Sequence, residues 1–377
     1  MRKKICFVVN VEYVVNHFLI NHLRSLSKIY DVTLVGNFDR LSTLEEKGIV
    51  VKTHKIPFKR GLSLYGDMLT FFMLFLFMLT NRFDCIHSIT PKIGFFTAIL
   101  GYALRFKKRI HMFTGQVWPH DKGIRACVLK LADRVTGALT TDCLVDSNSQ
   151  LTFLHEQGIL HKGKGKVLGA GSISGVDTHK FKFNQDKRRG IRQQLAIPDD
   201  ALCLVFIARL SEVKGIYDLI EALERIANPA IYLIVVGPDE ENVVGRVVDE
   251  FPGLLNNIKF VGYSFTPEHF LSAGDVLTLP SHREGFGSVI IEAASVGIPA
   301  MGSDIYGIND AIASDKSGLL HPVRDIDAIA ACINRLNADP VLLQSLGDFA
   351  YQRAIKDFNA DSVTSSWVKF YHDILEQ

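Results

Sequence analysis

Short apolar runs alternate with longer amphipathic stretches from one end of the chain to the other, the pattern of parallel strands joined by crossover helices. Residues 5–9, 32–35, 49–53, 85–87, 109–113 and 143–145 predict strands in the front half, and 202–208, 231–236, 258–261 and 276–279 begin a second series. Each run is followed by a helix-like segment. The expected fold class is therefore α/β, with two Rossmann-like, doubly wound parallel sheets. Residues 180–200 are charged, weakly patterned and contain Pro198, which predicts the linker. Trp367, Phe370 and Tyr371 stand at helical spacing in 362–375, the pattern of a final helix with one buried face.

The segment 68–79 (MLTFFMLFLFML) is the most hydrophobic stretch. A membrane span needs about twenty apolar residues, so this one predicts no crossing. Two readings stay open: a buried crossover helix, or an edge that dips into a lipid interface. Lys59-Arg60 before it and Arg105 to Arg109 after it supply positive charge beside the second reading.

With 377 residues and 47% apolar content the chain can bury a large core, which excludes disorder and small disulfide scaffolds. The formal net charge of +2 hides an asymmetry: residues 1–190 carry 29 Lys and Arg against 14 Asp and Glu, and residues 191–377 carry 13 against 26. A basic front half suits an anionic partner such as phosphate groups or an anionic membrane surface. The six cysteines are scattered singly without zinc-ligand spacing, and read as small buried hydrophobes in a reducing compartment. The apolar run 5–9 is stopped by Asn10 and Glu12, too short for a secretory core, so a cytoplasmic location is expected.

The sharpest chemical signal is the stretch Glu284-Gly285-Phe286-Gly287-Ser288 leading to Glu292, placed after the strand 276–279 and running into a helix. That position puts Glu284 at the carboxyl edge of a sheet, where open α/β folds bind ligands. The glycines admit a ligand close to the backbone, and free amides at the helix start favour phosphate. Glu292 lies among Val289, Ile290, Ile291, Ala293 and Ala294, so its carboxylate needs a hydrogen-bonding partner; a pair of sugar or ribose hydroxyls would serve. Arg209 and Lys214 end the first strand of the back half and start its first helix, two cations able to neutralise a diphosphate leaving group without a metal.

These residues carry a resemblance. ARLSEVKG at 208–215, VVGP at 235–238, KFVGY at 259–263, two glutamates separated by seven residues at 284 and 292, and SGLLHP at 317–322 resemble the retaining glycosyltransferases of family four. GSISGVDTHKF at 171–181 looks like the stretch that closes the front domain in that family. The resemblance implies the GT-B fold, with domains at 1–182 and 199–358 facing a cleft and a segment 359–377 crossing back to the front domain. It implies that Arg209 and Lys214 hold the donor diphosphate, Glu292 the ribose, Glu284 the donor sugar, and the backbone of 285–287 with Ser288 the phosphate or sugar. The expected donor is a nucleotide-diphosphate sugar, with UDP-hexose or UDP-N-acetylhexosamine first, and no metal or other cofactor is expected. The expected acceptor is a polyprenyl-diphosphate-linked saccharide at the inner face of the cell membrane, in surface polysaccharide assembly.

The front half departs from the family pattern twice. After the first strand, 10–17 holds Asn16 and His17 in place of a glycine-rich loop, and Thr114 stands where relatives have a histidine before glycine. Thr114 cannot act as a base at neutral pH, and His111 reads as a strand residue. Gly115, Gln116 and Trp118 are the remaining acceptor candidates, the indole by stacking on a sugar. Asp325 and Asp327 resemble a metal-binding pair but open a helical pattern, so Asp325 reads as an N-cap. The glycines at 169, 171 and 175 lack the following helix of a dinucleotide site. Two alternatives stay open: a sugar-nucleotide epimerase of the same fold, and a non-catalytic membrane-bound partner.

Overall fold

The computed structural model describes residues 2–38, 41–58, 61 and 63–376, so Lys59 and Arg60 lie outside the described residues. The chain forms two compact units, residues 1–175 with 360–377, and residues 176–359. In the first, the order is β1 (Lys4–Val11), α1 (Glu12–Val14), α2 (Ile20–Ile29), β2 (Asp31–Asn37), α3 (Ser42–Glu46), β3 (Lys52–Lys55), α4 (Leu64–Thr80), β4 (Cys85–Ile89), α5 (Pro91–Ala103), β5 (Lys108–Phe113), α6 (Gly123–Leu139), β6 (Asp142–Val145) and α7 (Asn148–Glu156). The second unit begins with α8 (Gln185–Gln194), β7 (Leu202–Ile207), α9 (Ile216–Ile226), β8 (Ile231–Val236), α10 (Val243–Glu250) and β9 (Ile258–Gly262). It continues with α11 (Pro267–Ala273), β10 (Val276–Leu279), α12 (Ser288–Val296), β11 (Ala300–Ser303), α13 (Ile308–Ala311), β12 (Gly318–His321), α14 (Ile326–Ala338) and α15 (Pro340–Asp357). The last helix, α16 (Ala360–Leu375), belongs to the first unit and packs on α2.

Each unit holds a six-stranded parallel sheet, ordered β3-β2-β1-β4-β5-β6 and β12-β11-β10-β7-β8-β9. Strand alternation sorts the core. From β1, Ile5, Phe7 and Val9 face the layer of α2 and α16, while Cys6 and Val8 face that of α4 and α5. Trp367, fully buried on α16, stacks on His22 and His87 at ring separations of 4.2 and 5.3 Å. In the second unit Leu202, Leu204 and Phe206 join one core and Cys203 another.

Four expectations change. The linker segment contains a helix: α8 packs on α11, and its buried Arg192 bonds Asp275 at 2.8 Å and the carbonyls of Pro198, Asp199, Ala201 and Ala273. Strands β11 and β12 extend the second sheet beyond the four expected runs. Strand β3 lies at Lys52–Lys55, past the apolar run at 49–53, because a solvent-facing edge strand needs no apolar residues. Cys127 is exposed, whereas Cys6, Cys85, Cys143 and Cys203 are buried.

Candidate functional site

The carboxyl ends of β7 and β10 are neighbours, since β7 and β10 pair in the sheet. The turn after β7 ends at Lys214-Gly215. Gly215 has φ +72°, and a Cβ there would run into the Pro280 carbonyl, so this turn rests directly on the turn after β10. That contact brings Lys214 Nζ to 2.5 Å from Glu284 Oε1, an oxygen that also accepts from Ser281 Oγ at 2.9 Å. Both charged side chains are mostly buried, at the carboxyl edge of the sheet, where open α/β folds bind ligands.

Gly287, with φ +71°, ends the turn and starts α12, whose first-turn amides have no side-chain cap. Ser288 is the first helical residue. Phe286 turns its ring into the core against Phe358, so only its backbone is available to a ligand. One turn into α12, Glu292 makes no hydrogen bond among the described residues. Burial pushes its carboxyl up to about 7, opposed by the Lys180 ammonium and reinforced by Glu268. Arg209 pairs with Glu240 at 2.6 Å, both half-exposed. The donor candidates thus divide into a tight Lys214–Glu284 pair, a half-buried Glu292 without a side-chain partner among the described residues, and an Arg209 held by another partner.

In the first unit the acceptor candidates separate. Asn16 and His17 share one turn of π-helix, Val15–Leu19; Asn16 Nδ2 donates to Glu12 at 3.0 Å, and the His17 ring stacks on Tyr13 at 3.8 Å. Thr114 and Gly115 follow β5 and are partly exposed. Gln116 is buried and accepts from Gln150 Nε2 at 3.2 Å. Trp118 is buried too: its indole N–H donates to Asp133 at 2.8 Å and its ring stacks on Phe153. This corrects the expectation of a sugar-stacking indole, because a lone aromatic in a loop follows the nearest core. His111 is a strand histidine bonded to Ser88 at 2.9 Å, and burial pushes its pKa down to about 3. In the second unit Asp325 caps α14 through Ala328 N at 2.9 Å, as expected, and Asp327 pairs with Arg225.

The first unit also carries an apolar surface. On α4 the side chains of Tyr65, Met68, Phe72, Leu76 and Leu79 are exposed, Met68 at 65% and Phe72 at 55%, while Thr70, Leu74, Phe77 and Met78 face the core. Helix α5 packs against both α4 and α6, and exposes Tyr102. On α6, Ile124 (83%), Val128 and Leu131 form a second exposed stripe, flanked by Lys122, Arg125 and Arg134. That stripe was missed in the sequence, although its spacing of four and three residues is a readable signal. Among the described residues no helix is long and apolar enough to cross a membrane.

The model of a family described as glycosyl transferases group 1 matches residues 187–353. The capsular polysaccharide biosynthesis glycosyltransferase CapM of Staphylococcus aureus is 26% identical over 327 residues, which cover 86% of each chain. The putative glycosyltransferase EpsD of Bacillus subtilis is 23% identical over 370 residues, 96% of this chain and 95% of that one. Among solved structures, HepE of Anabaena in complex with UDP and glucose superposes with a TM-score of 0.80 at 20% identity, covering 98% of this chain and 100% of HepE. WaaG, a glycosyltransferase involved in lipopolysaccharide biosynthesis, superposes at 0.73 with 15% identity over 97% and 99% of the two chains. Likeness at these identities shows the fold, GT-B.

Proposed function

Taking as its premise a group 1 glycosyltransferase of GT-B fold related to capsule and polysaccharide biosynthesis enzymes, we propose that the chain transfers a hexose or N-acetylhexosamine from UDP to a polyprenyl-diphosphate-linked saccharide, retaining the anomeric configuration. The observation that carries the donor reading is the Lys214–Glu284 pair at the carboxyl edge of the second sheet, followed in the chain by the half-buried Glu292 one turn into α12. The solved complexes of HepE with UDP and with UDP and glucose support UDP as the nucleotide.

In this reading Lys214 gives up its bond to Glu284 for the donor diphosphate, and Arg209 leaves the solvent-facing Glu240 to join it. Their positive charge meets the negative charge that builds on the leaving diphosphate, the work a metal would otherwise do. Glu284, released from Lys214, accepts a hydroxyl of the donor sugar. Glu292 accepts the ribose hydroxyls, and the uncapped amides at the start of α12 face the phosphate. Attack by the acceptor hydroxyl on the face that the diphosphate leaves, with the hydroxyl proton passing to the departing diphosphate as the bond from the anomeric carbon to the diphosphate oxygen breaks, would retain configuration.

The apolar stripes of α4 and α6, the latter flanked by Lys122, Arg125 and Arg134, support peripheral attachment at an anionic membrane surface on its inner face, where a lipid-linked acceptor resides. Thermal unfolding with UDP, GDP, ADP and NAD in turn tests the donor. A ligand at about a hundred times its dissociation constant stabilises by about 2.7 kcal/mol, so a shift with UDP alone is expected. A shift with NAD alone would overturn the reading.

A further inference from the structure

Around the Lys214 turn, side chains from three separate loops and one helix close a ring. His282, two residues before Glu284, is buried after β10 and places Nε2 2.7 Å from Asp218 Oδ2 on α9. Its Nδ1 accepts from Arg324 Nε at 3.4 Å, and Arg324 lies between β12 and α14. Arg324 also donates to Glu212 Oε1 at 3.2 Å, and Glu212 starts the turn that ends in Lys214. The ring therefore returns to its starting segment. Inside it the His282 backbone N–H donates to the Val213 carbonyl at 2.9 Å.

A guanidinium can only donate, so Nδ1 of His282 is the acceptor and Nε2 carries the proton that goes to Asp218. The imidazole thus makes two different bonds at once, and with the backbone bond it is fixed at three points. Val213 precedes Lys214 directly and Asp218 follows it by one helical turn. On the other side of the contact, Ser281 and Glu284 flank His282, and Ser281 bonds the Glu284 oxygen that Lys214 reaches. Arg324 spans the same two turns from the outside, through His282 and Glu212. Of the charged groups, Asp218 and Arg324 bond the imidazole, Glu212 bonds Arg324, and Asp218 also acts electrostatically on His321.

We propose that His282 is a positioning residue for the glycosyl transfer: it locks the turn carrying Lys214 to the turn carrying Glu284, so that diphosphate and donor sugar meet both groups at once. The inference rests on the donor-site reading above. The imidazole is engaged by Asp218 and Arg324, so its effect on the transfer is exerted through the two turns. Displacing a catalytic group by about 1 Å can cost about a hundredfold in rate, which is the range open to such a brace.

The test is a titration of UDP release against the concentration of a UDP-sugar that the purified full chain turns over, run for His282→Leu, His282→Gln, Arg324→Met and Lys214→Ala. His282→Leu breaks both side-chain bonds, and its kcat is expected to fall at least about tenfold with KM within about threefold of the parent. In His282→Gln the amide N–H donates to Asp218 and the amide oxygen accepts from Arg324, so kcat is expected to return to within about threefold of the parent. Arg324, with its side chain 64% exposed, can be truncated without threatening the fold, and Arg324→Met should lower kcat by roughly threefold. A His282→Leu enzyme within about twofold of parental kcat, or a His282→Gln enzyme as slow as His282→Leu, overturns the proposal. Should His282→Leu fail to fold, unchanged kcat in Arg324→Met overturns it instead. Full turnover in Lys214→Ala would sink the donor-site reading as well, whereas loss in Lys214→Ala with normal His282→Leu sinks the brace alone.

Discussion

Raising the pH from about 6 to about 8 ionises Glu292 and, if this residue holds the ribose, tightens UDP-glucose binding about tenfold. The carboxyl stands at about 7 because burial penalises its anion. About a tenth of the molecules are therefore ionised one unit below that value and about nine tenths one unit above it. Ribose hydroxyls donate hydrogen bonds and select the carboxylate, so the apparent dissociation constant is the intrinsic one divided by the ionised fraction. The ratio corresponds to about 1.4 kcal/mol. UDP-glucose is the right probe because its diphosphate is a diester, whereas the terminal phosphate of UDP itself titrates near pH 6, as phosphate monoesters do. Isothermal titration calorimetry at constant ionic strength reads the slope, and Glu292→Gln should bind more weakly with none. A flat profile for the parent, or an equal slope in Glu292→Gln, refutes the assignment. The same group links stability to pH. Its native value is raised, so its stabilising contribution is fully present below the ordinary carboxyl value of 4.5 and is lost as pH rises through about 7. Relative to Glu292→Gln, the free enzyme should lose up to about 3 kcal/mol over that window, measured by urea unfolding at each pH.

Lys214→Ala should reduce turnover by at least about a hundredfold, the scale for removing one preorganised charge partner of a leaving group, with the melting temperature as the control for folding. Gly215→Ala forces a side chain into the left-handed region and against the Pro280 carbonyl, so it should cost about 1–3 kcal/mol and displace Lys214, read by denaturation and by UDP affinity. Trp367→Ala empties a fully buried site between His22 and His87, and should destabilise the first unit by about 3–5 kcal/mol in chemical denaturation. Phe72→Ser with Met68→Ser should abolish flotation with phosphatidylglycerol vesicles while leaving the melting temperature unchanged, because both side chains are exposed; undiminished flotation would remove α4 from the membrane-facing surface.

Nine of the ten expected strand runs fall on observed strands, because a strand buried on both faces must be apolar along its length, as Ile231–Val236 is. The exceptions have physical reasons. Edge strand β3 carries Lys52, Thr53, His54 and Lys55, which bury nothing. Helix α8 buries arginines in place of hydrocarbon: Arg192 reaches Asp275 and four carbonyls that no local pattern reveals, so its segment looked like a linker. The Trp367, Phe370 and Tyr371 spacing announced a buried face, and all three are buried on α16.

At the site, the order strand, turn, glycine and helix was legible around Glu284, since the carboxyl edge of a parallel strand and an uncapped helix start are both local properties. Local sequence therefore determined the two parallel sheets, the glycine turns and the chemical types of the candidate residues. Only the tertiary structure decided their pairings: Lys214 with Glu284 across 70 residues, Arg209 with Glu240, His282 between Asp218 and Arg324, and Trp118 turned inward to Asp133. Partner choice and burial depend on which loops meet at a sheet edge. That is settled by strand order and register, which no stretch of sequence carries alone.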